Sequence, residues 1–80
     1  MADLKWYYKL LLARMDKGLS QRELAKLAKT NHVQISRIEK GEQMPKADML
    51  YRICNALDIS MDYVFKNFEV YDLKEPTKTV

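Results

Sequence analysis

LSQRELAKLAKTNHVQISRIEKG, Leu19 to Gly41, is the stretch that decides the fold. It opens on Ser20 and Glu23, the S-x-x-E spacing of a capping box, in which each residue satisfies the other's backbone N–H. From Gln21 to about Ala28, Leu24, Ala25, Leu27 and Ala28 fall towards one side at helical spacing. Lys29-Thr30-Asn31 leaves room only for a tight break, and Asn31 is a good N-cap for a helix from His32 to Lys40 that Gly41 ends. Two short helices joined by three residues cross steeply. Their contact needs a small side chain, and Ala25 stands in that place.

The second of these helices has two unlike faces. Ile35, Ile38 and Glu39 share one, at i, i+3 and i+4. The other carries His32, Val33, Ser36, Arg37 and Lys40, with Gln34 at its edge. A solvated face ordinarily mixes Glu with Lys, whereas this one has no acid, one exposed valine, and donors and acceptors of varied reach. A helix entering a major groove needs that mixture: polar groups for base edges, an apolar group for thymine methyls and cations for phosphates.

Working outward, three more helices are expected. One runs from about Leu4 to Lys17 and ends at Gly18; another spans roughly Lys46 to Leu57 after the loop Glu42-Gln43-Met44-Pro45; the last, capped by Ser60, runs from Met61 to about Asn67. Phe68 to Leu73 is ambiguous between helix and strand, and Glu75 to Val80 reads as a loose tail. The chain is therefore all-α, with a domain over residues 1–68 and a C-terminal extension over 69–80. Charge is divided unevenly. Residues 1–46 hold ten Lys/Arg against five Asp/Glu, and residues 47–80 hold four against six, so the positive field lies on the N-terminal half.

Several function classes fall away. Cys54 and His32, on different helices and without a third ligand, do not suit zinc. A lone histidine without a partnered nucleophile or carboxylate dyad offers no acid–base machinery, so neither catalysis nor a cofactor is expected. Cys54 reads as a small core residue, and a single cysteine points to a reducing, cytoplasmic setting. Asp3, Lys5, Lys9 and Arg14 interrupt the apolar start, which is neither a signal peptide nor a membrane span.

The whole pattern resembles the lambda-repressor/Cro-like (Xre-type) helix-turn-helix regulators of prokaryotes. The motif L-S-Q-x-E-L-A at Leu19–Ala25 is followed by I-S-R-I-E-x-G at Ile35–Gly41, Pro45, L-x-x-I-x-x-A-L at Leu50–Leu57 and S-x-D-x-x-F at Ser60–Phe65. The likeness runs from about Leu10 to Phe65. It implies a compact five-helix DNA-binding fold and a transcriptional regulator, with a nucleoid-associated repressor the leading reading and no enzyme activity. It also implies that Gln21 holds a phosphate or outer base, that His32, Val33, Gln34, Ser36 and Arg37 reach bases and backbone, and that Lys40, Gln43 and Lys46 touch phosphates; Arg22 and Asn31 complete the candidate DNA-binding set. Departures are Lys29 and Asp58 where the family usually has glycine, Thr30 for an apolar residue, Lys46 for Ser or Thr, and Glu42 beside the phosphate path. A left-handed Lys29 would cost ~1 kcal/mol.

Two further expectations concern contacts between helices and between chains. Glu39 beside Ile35 and Ile38 needs a partner, and Arg14, on the core-leaning side of the first helix, is the candidate; the resemblance implies a largely buried ion pair there. The first helix covers the core with Trp6, Leu10 and Ala13, yet Tyr7, Tyr8, Leu11, Leu12 and Met15 remain, relieved only by Lys5, Lys9 and Asp16. Either the C-terminal segment or a second subunit covers this spare face. A homodimer on a palindromic operator suits the function, since two recognition helices read half-sites about one DNA turn apart. The resemblance locates the dimer contact at the fifth helix and beyond, giving Tyr7, Leu11, Met15, Tyr63, Phe68, Val70, Tyr71 and Leu73. Alternatives are an antitoxin or a restriction–modification controller built on the same module. A protein-interaction module would carry an acidic or apolar third-helix face, and an A-form RNA major groove is too narrow for the helix.

Overall fold

A computed structural model describes residues 4–66. It contains α1 (Trp6–Asp16), α2 (Gln21–Leu27), α3 (His32–Glu39), α4 (Ala47–Leu57) and α5 (Met61–Phe65), and no strand among the described residues. The ends lie slightly inside the ranges the pattern suggests, because periodicity marks buried positions and not where backbone pairing stops. Lys5 is the extended N-cap of α1, so that helix starts at Trp6 and not Leu4, and α5 stops at Phe65 because Lys66 is extended (φ −60°, ψ 132°). Asn67, the expected end of α5, lies outside the described residues, as do the extension from Phe68 and the boundary at residue 68.

Four helices end in the same way. After α1, α2, α3 and α4 the chain reverses through a left-handed residue, Gly18 (φ 72°), Lys29 (φ 58°), Gly41 (φ 77°) and Asp58 (φ 63°). In each case the next N–H reaches back to a carbonyl of the last turn: Leu19 to Arg14, Thr30 to Ala25, Glu42 to Arg37 and Ile59 to Cys54, at 2.9–3.1 Å. This double-bonded reversal satisfies carbonyls that a helix end would otherwise leave unpaired. Glycine occupies it without cost; Lys29 and Asp58 do not. At Gly41 there is a second requirement, since a Cβ there would come within 2.7 Å of the Tyr7 ring.

Leu10, Leu24, Ile35, Ile38, Ile53 and Val64 form the fully buried centre. Ala25 and Ala28 are buried where α2 meets its neighbours α3 and α4, so the backbones can approach closely. Cys54 is a core residue, and burial pushes its thiol pKa up to about 11. Trp6 and Leu10 are buried, and Ala13 is half-buried against the core.

Two residues of α1 differ from expectation. Lys9 is not part of a solvated strip: it is buried, and its Nζ donates to the carbonyls of Tyr63 (3.0 Å) and Lys66 (3.2 Å) while standing 5.1 Å from the Tyr63 ring. The last carbonyls of α5 have no intrahelical donor, and a cation is favoured there. Tyr7 does not sit fully on the spare face. It is half-buried, edge-on to Trp6 at 5.4 Å and against Gly41.

Candidate nucleic-acid interface

The α2–turn–α3 unit is built from the local rules its residues impose. Ser20 Oγ accepts from Glu23 N–H at 3.0 Å, and Glu23 Oε1 accepts from Ser20 N–H at 2.8 Å, which starts α2 at Gln21. Its end is the left-handed Lys29, with Thr30 N–H returning to Ala25. Asn31 Oδ1 then accepts from Gln34 N–H at 2.9 Å and starts α3.

The inner face of α3 anchors it. Ile35 and Ile38 are buried, and Glu39 between them and α1 is only 4% exposed at its side chain. Its carboxylate accepts from Arg14 Nε at 2.7 Å, Arg14 Nη2 at 3.1 Å and Gln21 Nε2 at 3.0 Å, while Arg14 Nη1 donates to the Leu19 carbonyl at 2.7 Å. A buried charge is tolerated only with such saturation. Arg14, Glu39 and Gln21 thus form one network, a link for Gln21 that its place at the start of α2 does not reveal.

The outer face is left open. Val33 (45% exposed), Arg37 and Lys40 are exposed; His32, Gln34 and Ser36 are half-buried. Gln34 Oε1 receives Thr30 Oγ1 at 3.4 Å. Among the described residues, no carboxylate pairs with Arg22, Arg37, Lys40 or Lys46. Between α2 and the start of α3 lies a groove of about 310 Å³ lined by Arg22, Lys26, Asn31 and His32. Lys26 joins the candidates only here; its signal in the sequence is its spacing, one helical turn after Arg22. Gln43 is half-buried in the loop after α3, beside exposed Glu42, and Lys46 is the exposed N-cap of α4 with no side-chain cap bond. Cationic and polar groups of α2, α3 and the following loop are thereby held without internal partners by a rigid inner face, an arrangement suited to a polyanion with a patterned edge.

A second arginine reaches the unit from α4. Arg52 Nε donates to the Ala28 carbonyl at 2.7 Å and its Nη1 to Asp48 Oδ2 at 3.1 Å. The hydrogen bond from Arg52, with the Met49 N–H, holds the Asp48 carboxyl below the usual carboxylate range. Asp48 and Arg52 are readable as an i,i+4 pair; the bond to Ala28 is not, because any carbonyl can accept it.

On the far side, α1 and α5 enclose an open groove of about 710 Å³ lined by Leu12, Ala13, Met15, Ile59 and Tyr63, with Lys9 and Asp16 at its rim. Tyr8, Leu12, Met15 and Tyr63 are exposed and Leu11 is half-exposed. Phe68, Val70, Tyr71 and Leu73 lie outside the described residues. Among those described, no three His, Cys, Asp or Glu side chains gather, and no helix is long and apolar enough to cross a membrane.

A helix-turn-helix family model matches residues 10–64. Uncharacterised HTH-type transcriptional regulators of Rickettsia conorii and Rickettsia prowazekii are each 32% identical over 71 residues, 89% of this chain and 57% and 55% of theirs. The chain therefore spans little more than half the length of these curated relatives. Among solved structures, the P22 c2 repressor in complex with synthetic operator 9T is similar with a TM-score of 0.77 and 26% identity, over 80% of this chain and 97% of that one. The restriction–modification controller protein C.AhdI of Aeromonas hydrophila is similar with a TM-score of 0.71 and 28% identity, over 75% of this chain and 91% of that one.

Proposed function

This chain belongs to the lambda-repressor/Cro-like (Xre-type) helix-turn-helix family of transcriptional regulators, and we propose that it reads a specific double-stranded DNA sequence as a homodimeric repressor, with α3 in the major groove. The observation that carries this reading is the outer face of α3: it has no acid, and its cations have no carboxylate partner among the described residues. The likeness to a repressor solved with an operator supports it. His32, Val33, Gln34, Ser36 and Arg37 meet base edges and the flanking backbone. Gln21, Arg22, Asn31, Lys40, Gln43 and Lys46 meet phosphates; Gln21 Nε2 keeps a second N–H after serving Glu39, and Asn31 keeps both N–H groups after capping α3 with its oxygen. The DNA-binding unit is residues 1–68, and residues 69–80 extend it towards the partner subunit.

Dimerisation uses the α1–α5 groove and the chain beyond α5: Leu11, Met15 and Tyr63, the open edge of Tyr7, and Phe68, Val70, Tyr71 and Leu73. The exposed apolar groove motivates it, since such surface marks an interface. Leu12→Glu is expected to turn a dimer into a monomer in sedimentation equilibrium at tens of micromolar; a wild-type chain that is monomeric there ends this part of the proposal. A controller of a restriction–modification system is the second reading, favoured by the likeness to C.AhdI over nearly all of that chain. The deciding experiment for DNA binding is selection from a random duplex pool at moderate salt. A two-fold symmetric sequence with half-sites about one turn apart is expected. No enrichment over the input pool overturns the reading.

A further inference from the structure

The turn that carries α3 stands on a residue poorly suited to it. Lys29 adopts φ 58°, a left-handed conformation that side chains with a Cβ resist, and it alone connects the end of α2 to Thr30 and the cap of α3. Any relaxation of Lys29 towards ordinary φ swings α3 relative to α2. Something must oppose that relaxation. The preceding peptide is fixed on one side by the buried Ala28 and on the other by Arg52, whose Nε grips the Ala28 carbonyl at 2.7 Å. Asp48 holds the guanidinium from its far side.

We propose that Arg52 is a positioning residue for α3: by gripping the Ala28 carbonyl from α4 it keeps Lys29 left-handed, and so sets the angle at which α3 is presented to DNA. It touches no base or phosphate and works through the turn. The consequence for DNA rests on the reading under Proposed function; the consequence for the turn does not.

Asp58 supplies a matched control. It has the same left-handed conformation (φ 63°) at the end of α4, away from the α2–α3 turn, and its ion pair with Lys17 is long (3.6 Å) and exposed. Glycine at position 29 or 58 removes the same kind of strain, but only position 29 lies on the path from Arg52 to α3. The experiment compares R52M, R52M/K29G and R52M/D58G with wild type and with K29G and D58G alone. It uses amide chemical shifts and hydrogen exchange over residues 28–34, and affinity for the selected duplex. In R52M, changes concentrated in those amides and a roughly tenfold loss of affinity are expected, the size of one good contact. R52M/K29G regains the amide signature and the affinity of K29G. R52M/D58G, equally relieved of strain and folded, regains neither. The inference is overturned if R52M leaves the turn amides unchanged, or if D58G rescues as well as K29G. Should the wild type select no duplex, the DNA reading fails by itself, and the amide comparison still decides the role of Arg52.

Discussion

The two ends of α2 are held by the same device in different surroundings. At the leading end, Arg14 of α1 donates to the Leu19 carbonyl and to the carboxylate of Glu39. At the trailing end, Arg52 of α4 donates to the Ala28 carbonyl and to the carboxylate of Asp48. Each arginine thus ties a backbone carbonyl beside α2 to an acid, and each bridges separate helices. The acids differ: the Glu39 side chain is 4% exposed and that of Asp48 is 74% exposed. A buried pair is costly to break because the survivor has no water, whereas an exposed pair is replaced by solvent. The leading end therefore bears on whether the domain folds. The trailing end bears on how α3 is aimed.

The most damaging way to probe this contrast is at the leading end. Arg14→Met leaves Glu39 charged among Ile35 and Ile38, and a loss of roughly 3–5 kcal/mol in urea unfolding is expected. The change strikes a domain whose total stability is only about 5–15 kcal/mol. A double-mutant cycle with Glu39→Leu should recover part of the loss, and zero coupling between the two sites would break the comparison at its stronger end.

Next in size are substitutions on the outer face of α3, which belongs to neither clamp. His32→Ala or Gln34→Ala should cost roughly 1–3 kcal/mol of DNA-binding free energy at one base position and relax specificity there. Arg37→Ala and Lys40→Ala should weaken all sequences alike and lower the salt slope by about one each. Stability should stay within about 0.5 kcal/mol in every case, because these groups support nothing inside. An outer-face change that unfolds the domain would show that the division between the faces is wrong.

Much of this is readable in the sequence, and the unreadable part has one cause. The helices are legible because Gly18, Gly41, Pro45 and the caps Ser20, Asn31 and Ser60 punctuate a clear apolar rhythm. Glu39 declares a need for a partner by lying between isoleucines on a core face. Lys9 and Arg52 are hidden because each is bound to backbone carbonyls, Tyr63 and Lys66 for one and Ala28 for the other. Every residue has a carbonyl, so no residue type marks the acceptor; only the packed fold brings it within reach. Periodicity misplaces Tyr7 for a related reason. Its inward turn depends on the missing side chain of Gly41, far away in the chain.

A smaller effect separates the left-handed residues. Lys29→Gly and Asp58→Gly should each raise stability by about 1 kcal/mol, the cost of a left-handed Cβ. Urea midpoints should rise without a change in slope. Unequal gains would sharpen the comparison: a smaller gain at position 29 means that the Arg52 clamp already offsets part of the strain there, while a loss at either position means that the side chain is making contacts worth more than the strain it carries.

The smallest expected effect is the pH dependence of the trailing clamp. Hydrogen bonding from Arg52, then from the Met49 N–H, places the Asp48 carboxyl below its ordinary value of 3.8 in the folded chain. A carboxylate whose pKa is depressed by folding contributes stability that is fully present above the unfolded pKa and is lost as pH falls through the folded one. Asp48→Asn should therefore lower stability slightly and by a constant amount from neutral pH down to about 5, and the gap from wild type should close as pH drops below 3.8. Because the pair is exposed, the gap should also shrink at high salt, where charges are screened beyond about 3 Å at 1 M. Urea unfolding of both chains from neutral pH to well below 3.8 reads it directly. A gap that widens on acidification reverses the sign of the linkage, and Asp48 would then be a group that prefers its proton in the folded state, unable to brace Arg52 as a carboxylate.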